Sequence, residues 1–232
     1  PFLGWRGIRV TLDHPEIFIA QVRAMIRASE GLDNLQIMLP MISNVQEVTG
    51  SIQIIKRAYR ELREEGLDVR MPPIGVMIEV PAAVYQTRAL SRLVDFISVG
   101  SNDLTQYLLA VDRNNPRVAS LYSSFHPAVL QALRFIVEQA HLENKPVSIC
   151  GEMAGDPGGA VLLMAMGFDV LSMNATTLLK VKAVIRSMTF SAAQQLLEQV
   201  MAMDDSQMVR SCVDMALYNA GVDRLLRSSR TN

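Results

Sequence analysis

Five short apolar segments, none of which alternates apolar with polar residues, constrain the fold of this 232-residue chain most strongly. They occupy residues 35–42, 74–79, 96–100, 147–150 and 170–173. A strand with one face in water alternates in polarity, whereas a strand covered on both faces does not. The five segments therefore predict strands that are buried on both faces.

The longer segments between these strands have the periodicity of helices. Within residues 43–65, apolar side chains recur every three or four positions from Val48 to Leu62, which predicts one buried helical stripe. Ser43 and Gln46 have the spacing of a capping box, and Gly66 is typical of a helix end. Further helices are predicted over residues 15–29, 82–93, 127–144, 158–166, 177–187 and 191–227.

Strands that alternate with helices predict right-handed βαβ units and a parallel sheet. Two architectures satisfy this pattern, a doubly wound sheet and a (β/α)8 barrel, and both gather their chemistry at the carboxyl ends of the strands. The sequence contains no GxGxxG motif after any strand, which weakens a dinucleotide-binding interpretation.

Composition excludes several classes of function. Half of the residues are apolar and the formal net charge is −1, so the chain has neither a basic footprint for nucleic acid nor a polybasic patch for a membrane surface. The sequence has no apolar run of transmembrane length and no signal peptide at its start. Two cysteines with no export signal favour the cytoplasm.

Polar side chains follow two neighbouring predicted strands. Glu79 ends one strand, and Asn102 with Asp103 follows the next. The carboxyl ends of parallel strands share one edge of a sheet, so the two carboxylates are expected to lie near each other. Carboxylates from adjacent strands suit Mg²⁺, a hard cation that retains water and shares ligands with a substrate. Helix capping and pairing with arginine are the alternative roles for the same carboxylates.

Three further side chains belong to this predicted edge. Arg6 and Arg113 have the rigid fork that binds phosphate and carboxylate, although ion pairing at the surface explains many arginines equally well. Cys150 ends another strand, where a thiol serves as a nucleophile, as an acid or as a small buried apolar group. Position alone leaves these alternatives open.

Taken in order, five motifs resemble the phosphoenolpyruvate-utilising domain of enzyme I of the bacterial phosphotransferase system. They are PFLGWRGIR, MLPMIS, GVMIEVPAA, ISVGSNDLTQYLLAVDRNN and CGEMAGDP. Within that family the sequence is most similar to the nitrogen-branch paralogue. Phosphoenolpyruvate (PEP) synthase and pyruvate phosphate dikinase share the ancestry and are the alternative relatives.

The resemblance implies a fold and a set of site residues. The fold would be a (β/α)8 barrel of the phosphoenolpyruvate/pyruvate superfamily, incomplete because its first strands are lacking, with residues 1–232 forming one domain and residues 191–227 its C-terminal helices. Glu79 and Asp103 would bind Mg²⁺, and Cys150 would be the proton donor. Residues that contact PEP would be Arg6, Asn102, Asp103 and Arg113.

The resemblance also implies a reaction and partners. Phosphate would pass from PEP to a histidine of a separate N-terminal domain and then to an HPr-like carrier protein, with release of pyruvate. The chain begins at Pro1 beside a glycine-rich turn, as a fragment of a longer protein would. A homodimer is expected, and the chain alone is expected to be inactive in full transfer. The alternative function is a module for dimerisation and metabolite sensing.

Overall fold

Five strands form one parallel sheet in the order in which they occur along the chain. The computed structural model describes residues 2–222. The strands are β1 Ile37–Leu39, β2 Ile74–Ile78, β3 Phe96–Gly100, β4 Val147–Cys150 and β5 Val170–Leu171. The register pairs Ile37 with Ile74 and Ser148 with Val170.

The sequential strand order distinguishes between the two architectures that the sequence left open. A doubly wound sheet reverses its strand order at a switch point, whereas a barrel adds each strand beside the previous one. The order β1-β2-β3-β4-β5 is that of a barrel. The predicted α/β fold of barrel type is confirmed, and the five strands of residues 2–222 are fewer than eight, as the incomplete barrel requires.

Helices connect the strands. They are α1 Ile8–Asp13, α2 Pro15–Ala28, α3 Val45–Glu64, α4 Pro81–Val84, α5 Thr87–Ser91, α6 Ser101–Leu109, α7 Pro127–His141, α8 Glu152–Gly155, α9 Pro157–Met166, α10 Ala175–Ser187, α11 Phe190–Met201 and α12 Ser206–Asn219. A short 3-10 helix spans Ala119–Leu121.

The helix predictions are confirmed for the long periodic segments, including the C-terminal helices α11 and α12 of the segment 191–227, whose residues 223–227 lie outside the described part of the chain. Two corrections are needed. The segment 82–93 forms two short helices, α4 and α5. Helices α1, α6 and α8 were not predicted. Two of these, α6 and α8, follow strands directly, where a strand signal masks the start of a short helix.

The predicted capping box of Ser43 and Gln46 is wrong by one residue. Asn44 is the N-cap of α3, and its side chain accepts a hydrogen bond from the backbone N–H of Glu47 over 2.9 Å. The Glu47 carboxylate accepts in return from the N–H of Asn44 over 3.1 Å. Asn44 has the extended backbone that an N-cap requires, and Ser43 instead donates its own N–H to Glu47 over 2.6 Å.

The prediction that every strand is buried on both faces is also wrong in part. Strands β2 and β3 are almost wholly buried, but Met38 of β1 is 39% exposed and Val170 of β5 is 55% exposed. Both residues lie on the outermost described strands. An edge strand has a neighbour on one side only, so its side chains are covered less completely.

The described residues divide into two compact units. The first comprises the described residues of Pro1–Ser98 and Leu142–Lys145. Its core includes Val22 and Ile26 of α2 with Ile55 and Leu62 of α3, all fully buried, and the two helices pack together. This packing fixes the segments that flank β1 and β2.

The second unit comprises the described residues of Val99–His141 and Pro146–Asn232. Its central helix is α9, in which eight of the ten residues are buried. Helices α7, α8, α10, α11 and α12 all contact α9. Since α9 begins seven residues after the end of β4, its packing fixes the segment that follows Cys150.

Candidate functional site

Asp103 and Arg113 form an ion pair in the second unit. Asp103 lies in the first turn of α6, directly after β3, and is only 8% exposed. Its Oδ1 accepts a hydrogen bond from Nη1 of Arg113 over 2.7 Å. The backbone N–H of Arg113 donates to Oε1 of Gln106 over 3.2 Å, which holds the following loop against α6. Two residues that the sequence predicted for one site are thus brought together.

Asn102 connects this turn to the loop after β4. Its Oδ1 accepts a hydrogen bond from the backbone N–H of Glu152 over 3.0 Å. Beside it, Ser101 Oγ donates to the carbonyl oxygen of Cys150 over 2.7 Å. The two hydrogen bonds fix the ends of β3 and β4 relative to each other, so Asn102 and Cys150 belong to one rigid edge.

Gly151 is required at this edge for two reasons. Its φ of 106° is a conformation that residues with a side chain rarely adopt, and a Cβ at this position would overlap Ser101 Oγ. The same Cβ would lie 2.8 Å from Oδ1 of Asn102. The glycine therefore permits the segment after β4 to approach the first turn of α6 closely.

Cys150 ends β4 with its side chain partly accessible. Its Sγ lies 3.6 Å from the carbonyl oxygen of Val99, in the geometry of a hydrogen bond that the thiol donates. The contact orients the sulfur of Cys150 toward the end of β3.

A cavity of about 740 Å³ opens at this edge of the second unit. Its lining combines the predicted residues Asn102 and Cys150 with polar groups of the loops after β4 and β5. The lining residues are Asn102, Cys150, Gly151, Glu152, Gly155, Asp156, Pro157, Ser172, Met173, Asn174 and Thr177. The thiol of Cys150 thus borders a space large enough for a small substrate.

Glu79 lies in the first unit, directly after β2, and is only 6% exposed. Its Oε1 accepts a hydrogen bond from the backbone N–H of Met41 over 2.7 Å. Met41 has a positive φ of 58°, which is uncommon for a residue with a side chain and marks a constrained loop. The bond fixes one carboxylate oxygen of Glu79.

Arg6 lies in the turn before α1, and its guanidinium carbon is 5.8 Å from the centre of the Phe2 ring. The next residue, Gly7, has a φ of 56°, and a Cβ there would lie 2.8 Å from Cγ of Met41. Gly7 therefore allows this turn to approach the loop that holds Glu79. Arg6 and Glu79 are linked through Gly7 and Met41 within the first unit.

Within the second unit, the structure pairs Asp103 with Arg113 and places Asn102 and Cys150 at the lining of one cavity. The pairing of Glu79 with Asp103 joins residues of different units and stays a prediction. Within residues 2–222, no group of three or more histidine, cysteine, aspartate or glutamate side chains is placed to hold a metal ion. A metal held by the two predicted carboxylates would accordingly take its remaining ligands from water and substrate.

Sequence reasoning missed Met41, Ser101 and Tyr122. Met41 and Ser101 act through hydrogen bonds to or from the backbone, which leave no signature in residue type. Tyr122 donates its hydroxyl to the carbonyl oxygen of Asn102 over 3.3 Å, and burial raises the pKa of its phenol above the ordinary 10.0. Tyr122 is half-buried, and its residue type in a polar loop gives no signal in the sequence.

No helix within residues 2–222 has the length and apolar character needed to cross a membrane.

Comparison with known proteins gives consistent results. The family model described as "PEP-utilising enzyme, PEP-binding domain" matches residues 1–190. A Salmonella typhimurium protein named "Phosphoenolpyruvate-dependent phosphotransferase system" is 46% identical over 228 residues, covering 98% of this chain and 30% of that protein. A Staphylococcus carnosus phosphoenolpyruvate-protein phosphotransferase is 39% identical over 221 residues, covering 95% of this chain and 38% of its own length.

Among solved structures, a citrate lyase from Burkholderia xenovorans superimposes with a TM-score of 0.55 at 17% identity. The match covers 88% of this chain and 68% of the citrate lyase chain, and at that identity it concerns the fold alone. The chain spans about a third of the length of the phosphotransferases that it matches. The family model and these relatives together show that the chain belongs to the family of PEP-utilising enzymes, as their PEP-binding domain.

Proposed function

We propose that this chain forms the PEP site of a phosphoenolpyruvate-protein phosphotransferase. The observation that carries the proposal is the cavity lined by Asn102 and Cys150, with the ion pair of Asp103 and Arg113 starting at the residue next to Asn102. An arginine, an amide, a carboxylate and a thiol can together bind a phosphorylated enol acid and protonate its enol. The names of the curated relatives support the same substrate.

The two arginines bind the anionic substrate in this proposal. Arg113 is positioned by its ion pair with Asp103, and Arg6 by the turn that contains Gly7. A guanidinium fork matches both phosphate and carboxylate, and it neutralises the charge that develops as the phosphoryl group leaves. Asn102 is fixed because its Oδ1 accepts the N–H of Glu152, and it contacts the substrate through its amide nitrogen, Nδ2.

The proton balance assigns a role to Cys150. The bond between the bridging oxygen and phosphorus breaks, the phosphoryl group moves to a histidine nitrogen, and enolpyruvate keeps the electron pair. Protonation of its methylene carbon gives pyruvate, and Cys150 supplies that proton from its thiol. The resulting thiolate is protonated again from solvent. A thiol with an ordinary pKa of about 8.5 is protonated and still able to act as an acid near pH 7.

Glu79 and Asp103 fit Mg²⁺ by the chemistry of their donors. Both carboxylates are nearly buried, at 6% and 8% exposure, and each has one oxygen oriented by a hydrogen bond from the protein. Oxygen ligands held in this way suit a hard divalent cation. Bound there, Mg²⁺ would supply charge neutralisation for the phosphoryl group of PEP.

The whole protein's activity extends the proposal beyond this chain. The histidine that accepts the phosphate lies in a separate domain, and the phosphate passes from there to an HPr-like carrier. We also propose that residues 1–232 act as one domain with C-terminal helices over 191–227, that the protein is a cytoplasmic homodimer, and that it belongs to the nitrogen branch. The relatives' greater length supports the separate domain.

Isothermal titration calorimetry of this chain with PEP tests the proposal. We expect binding that requires Mg²⁺ and disappears in Glu79→Gln. Glu64→Gln is the matched control, because Glu64 is an exposed carboxylate of the same unit. Self-association without any heat from PEP would instead support the dimerisation and sensing module, and would contradict the proposed PEP site.

A further inference from the structure

Arg210 of α12 pairs with Asp156, which begins α9. Nη1 of Arg210 donates to Oδ2 of Asp156 over 2.9 Å. The other carboxylate oxygen, Oδ1, caps α9 by accepting the backbone N–H of Gly159 over 2.8 Å. The two oxygens serve different partners, so the side chain of Asp156 is fixed by two helices at once.

Arg210 also contacts a second loop. Its guanidinium carbon lies 4.9 Å from the centre of the Phe125 ring, within the range of a cation–π contact. Phe125 is 8% exposed and belongs to the segment between α6 and α7, which also carries Arg113. One side chain of α12 therefore touches both the segment that carries Arg113 and the segment that follows Cys150.

The helix that carries Arg210 is itself firmly docked. Val213 of α12 is fully buried, and a Cβ added to Gly158 of α9 would overlap its Cγ1. Leu217, one turn further along, is 4% exposed and approaches the same glycine. Arg210, Val213 and Leu217 share one helical face, so Arg210 is held against α9 by apolar contact as well as by charge.

Asp156 is the last residue of the segment 151–156 that follows Cys150, which we call the thiol loop. Its backbone N–H donates to the carbonyl oxygen of Glu152 over 3.1 Å, which closes the turn α8 two residues after Cys150. Glu152 N–H in turn donates to Asn102. A continuous path of hydrogen bonds therefore runs from Arg210 through Asp156 and Glu152 to the residues that border the cavity.

We propose that Arg210 is a positioning residue for the thiol loop, because it holds Asp156 and Phe125 and thereby fixes the site of Cys150. Arg210 lies outside the residues that match the PEP-binding family model, which end at residue 190. The inference rests on the proposed role of Cys150 as proton donor. It assigns a part in that role to the C-terminal helix, beyond its contribution to the core.

Alkylation of the full chain by iodoacetamide, resolved by peptide mass spectrometry, tests the proposal. The chain contains two cysteines, Cys150 at the end of β4 and Cys212 on α12 two residues after Arg210. In Arg210→Gln we expect the alkylation rate of Cys150 to rise about fivefold, because the thiol loop opens locally more often. The alkylation rate of Cys212 is expected to stay within about twofold of its value in the parent chain. Arg210→Lys keeps the charge without the planar fork and is expected to restore part of the difference.

Arg134 is the matched control, because it pairs with Glu138 at i,i+4 and with the more distant Glu198. Arg210 likewise pairs with Asp214 at i,i+4 and with the more distant Asp156. Arg134→Gln is expected to leave both cysteine rates unchanged. An unchanged Cys150 rate in Arg210→Gln would overturn the proposal. So would a parallel change at both cysteines, because that result would show general loosening of α12. The assay needs no PEP, so a failure of PEP binding would contradict the proposed function alone.

Discussion

The backbone N–H of Met41 donates a hydrogen bond to Oε1 of Glu79 over 2.7 Å. Met41 is 3% exposed and has a positive φ of 58°, so the donor is held in an uncommon conformation by its surroundings. The bond gives the buried N–H of Met41 an acceptor, and it fixes the orientation of the buried Glu79 carboxylate. A metal ligand needs such a partner to keep its geometry.

Replacing Glu79 tests this bond through stability. Glu79→Gln retains an acceptor for Met41 N–H, whereas Glu79→Ala leaves that buried donor unsatisfied. We expect the alanine variant to be less stable than the glutamine variant by about 1–3 kcal/mol in urea unfolding. Equal stability of the two variants would contradict the orienting role of Met41.

Gly151 offers a second test, because it allows the segment after β4 to lie close to Ser101 and Asn102 at the start of α6. Gly66 is a matched control, because its φ of 89° is also positive but no atom lies within 4 Å of an added Cβ. Gly66→Ala is therefore expected to cost about 1 kcal/mol for backbone strain alone. Gly151→Ala adds overlap with Ser101 and should cost about 2 kcal/mol more. Similar losses for both variants in thermal unfolding would show that the two segments are not in close contact.

The partial burial of the Tyr122 phenol is expected to make the chain lose stability at alkaline pH. Burial raises the pKa of its phenol, so the folded chain holds this proton more tightly than the unfolded chain does. The contribution is fully present below the ordinary pKa of 10.0 and declines as pH rises toward the folded value. Between about pH 9 and about pH 11, the free energy of unfolding should fall more steeply in the parent chain than in Tyr122→Phe.

The control is Tyr218→Phe, since Tyr218 is 62% exposed. That variant should retain the alkaline slope of the parent chain. If Tyr122→Phe has the same slope as the parent, burial of the phenol does not govern this pH dependence.

If Cys150 is the proton donor, the chain itself should catalyse proton exchange at the methyl group of pyruvate. If its thiol protonates enolpyruvate, its thiolate removes a methyl proton from pyruvate in the reverse direction. The chain with Mg²⁺ should then exchange the methyl protons of pyruvate for deuterium in D₂O, as followed by proton NMR. Cys150→Ala should slow this exchange about 10²-fold, and Cys212→Ala should not. Equal rates in both variants would remove Cys150 from the proton transfer.

The sequence was sufficient to predict the strands and part of the arrangement at their ends. The absence of alternation located β2, β3 and β4 almost to the residue, because central strands of a parallel sheet are covered on both faces. The placement of polar residues at strand ends led to Asn102 and Cys150, which the structure places at the lining of one cavity. Covalent order along the chain and the common direction of parallel strands explain that success.

The missed features depend on backbone geometry or on distant contacts. The bonds of Met41 and Ser101 involve the main chain, whose orientation depends on local φ and ψ and not on residue type alone. The cap of α3 shifted from Ser43 to Asn44, because both residue types serve as caps and the extended backbone at residue 44 decides between them. Arg210 approaches Asp156 across 54 positions, a contact that only helix packing creates.

The central proposal is that Glu79 and Asp103 bind one divalent cation at the PEP site, and Mn²⁺ titration in the presence of PEP tests it most directly. Electron paramagnetic resonance counts free Mn²⁺, an oxygen-preferring substitute for Mg²⁺. We predict one tight site in the parent chain, weakened at least about tenfold by Glu79→Gln or Asp103→Asn. The double variant should be little weaker than either single one, because ligands of one ion are not additive. Additive losses, or a tight site that survives in both single variants, would contradict the claim.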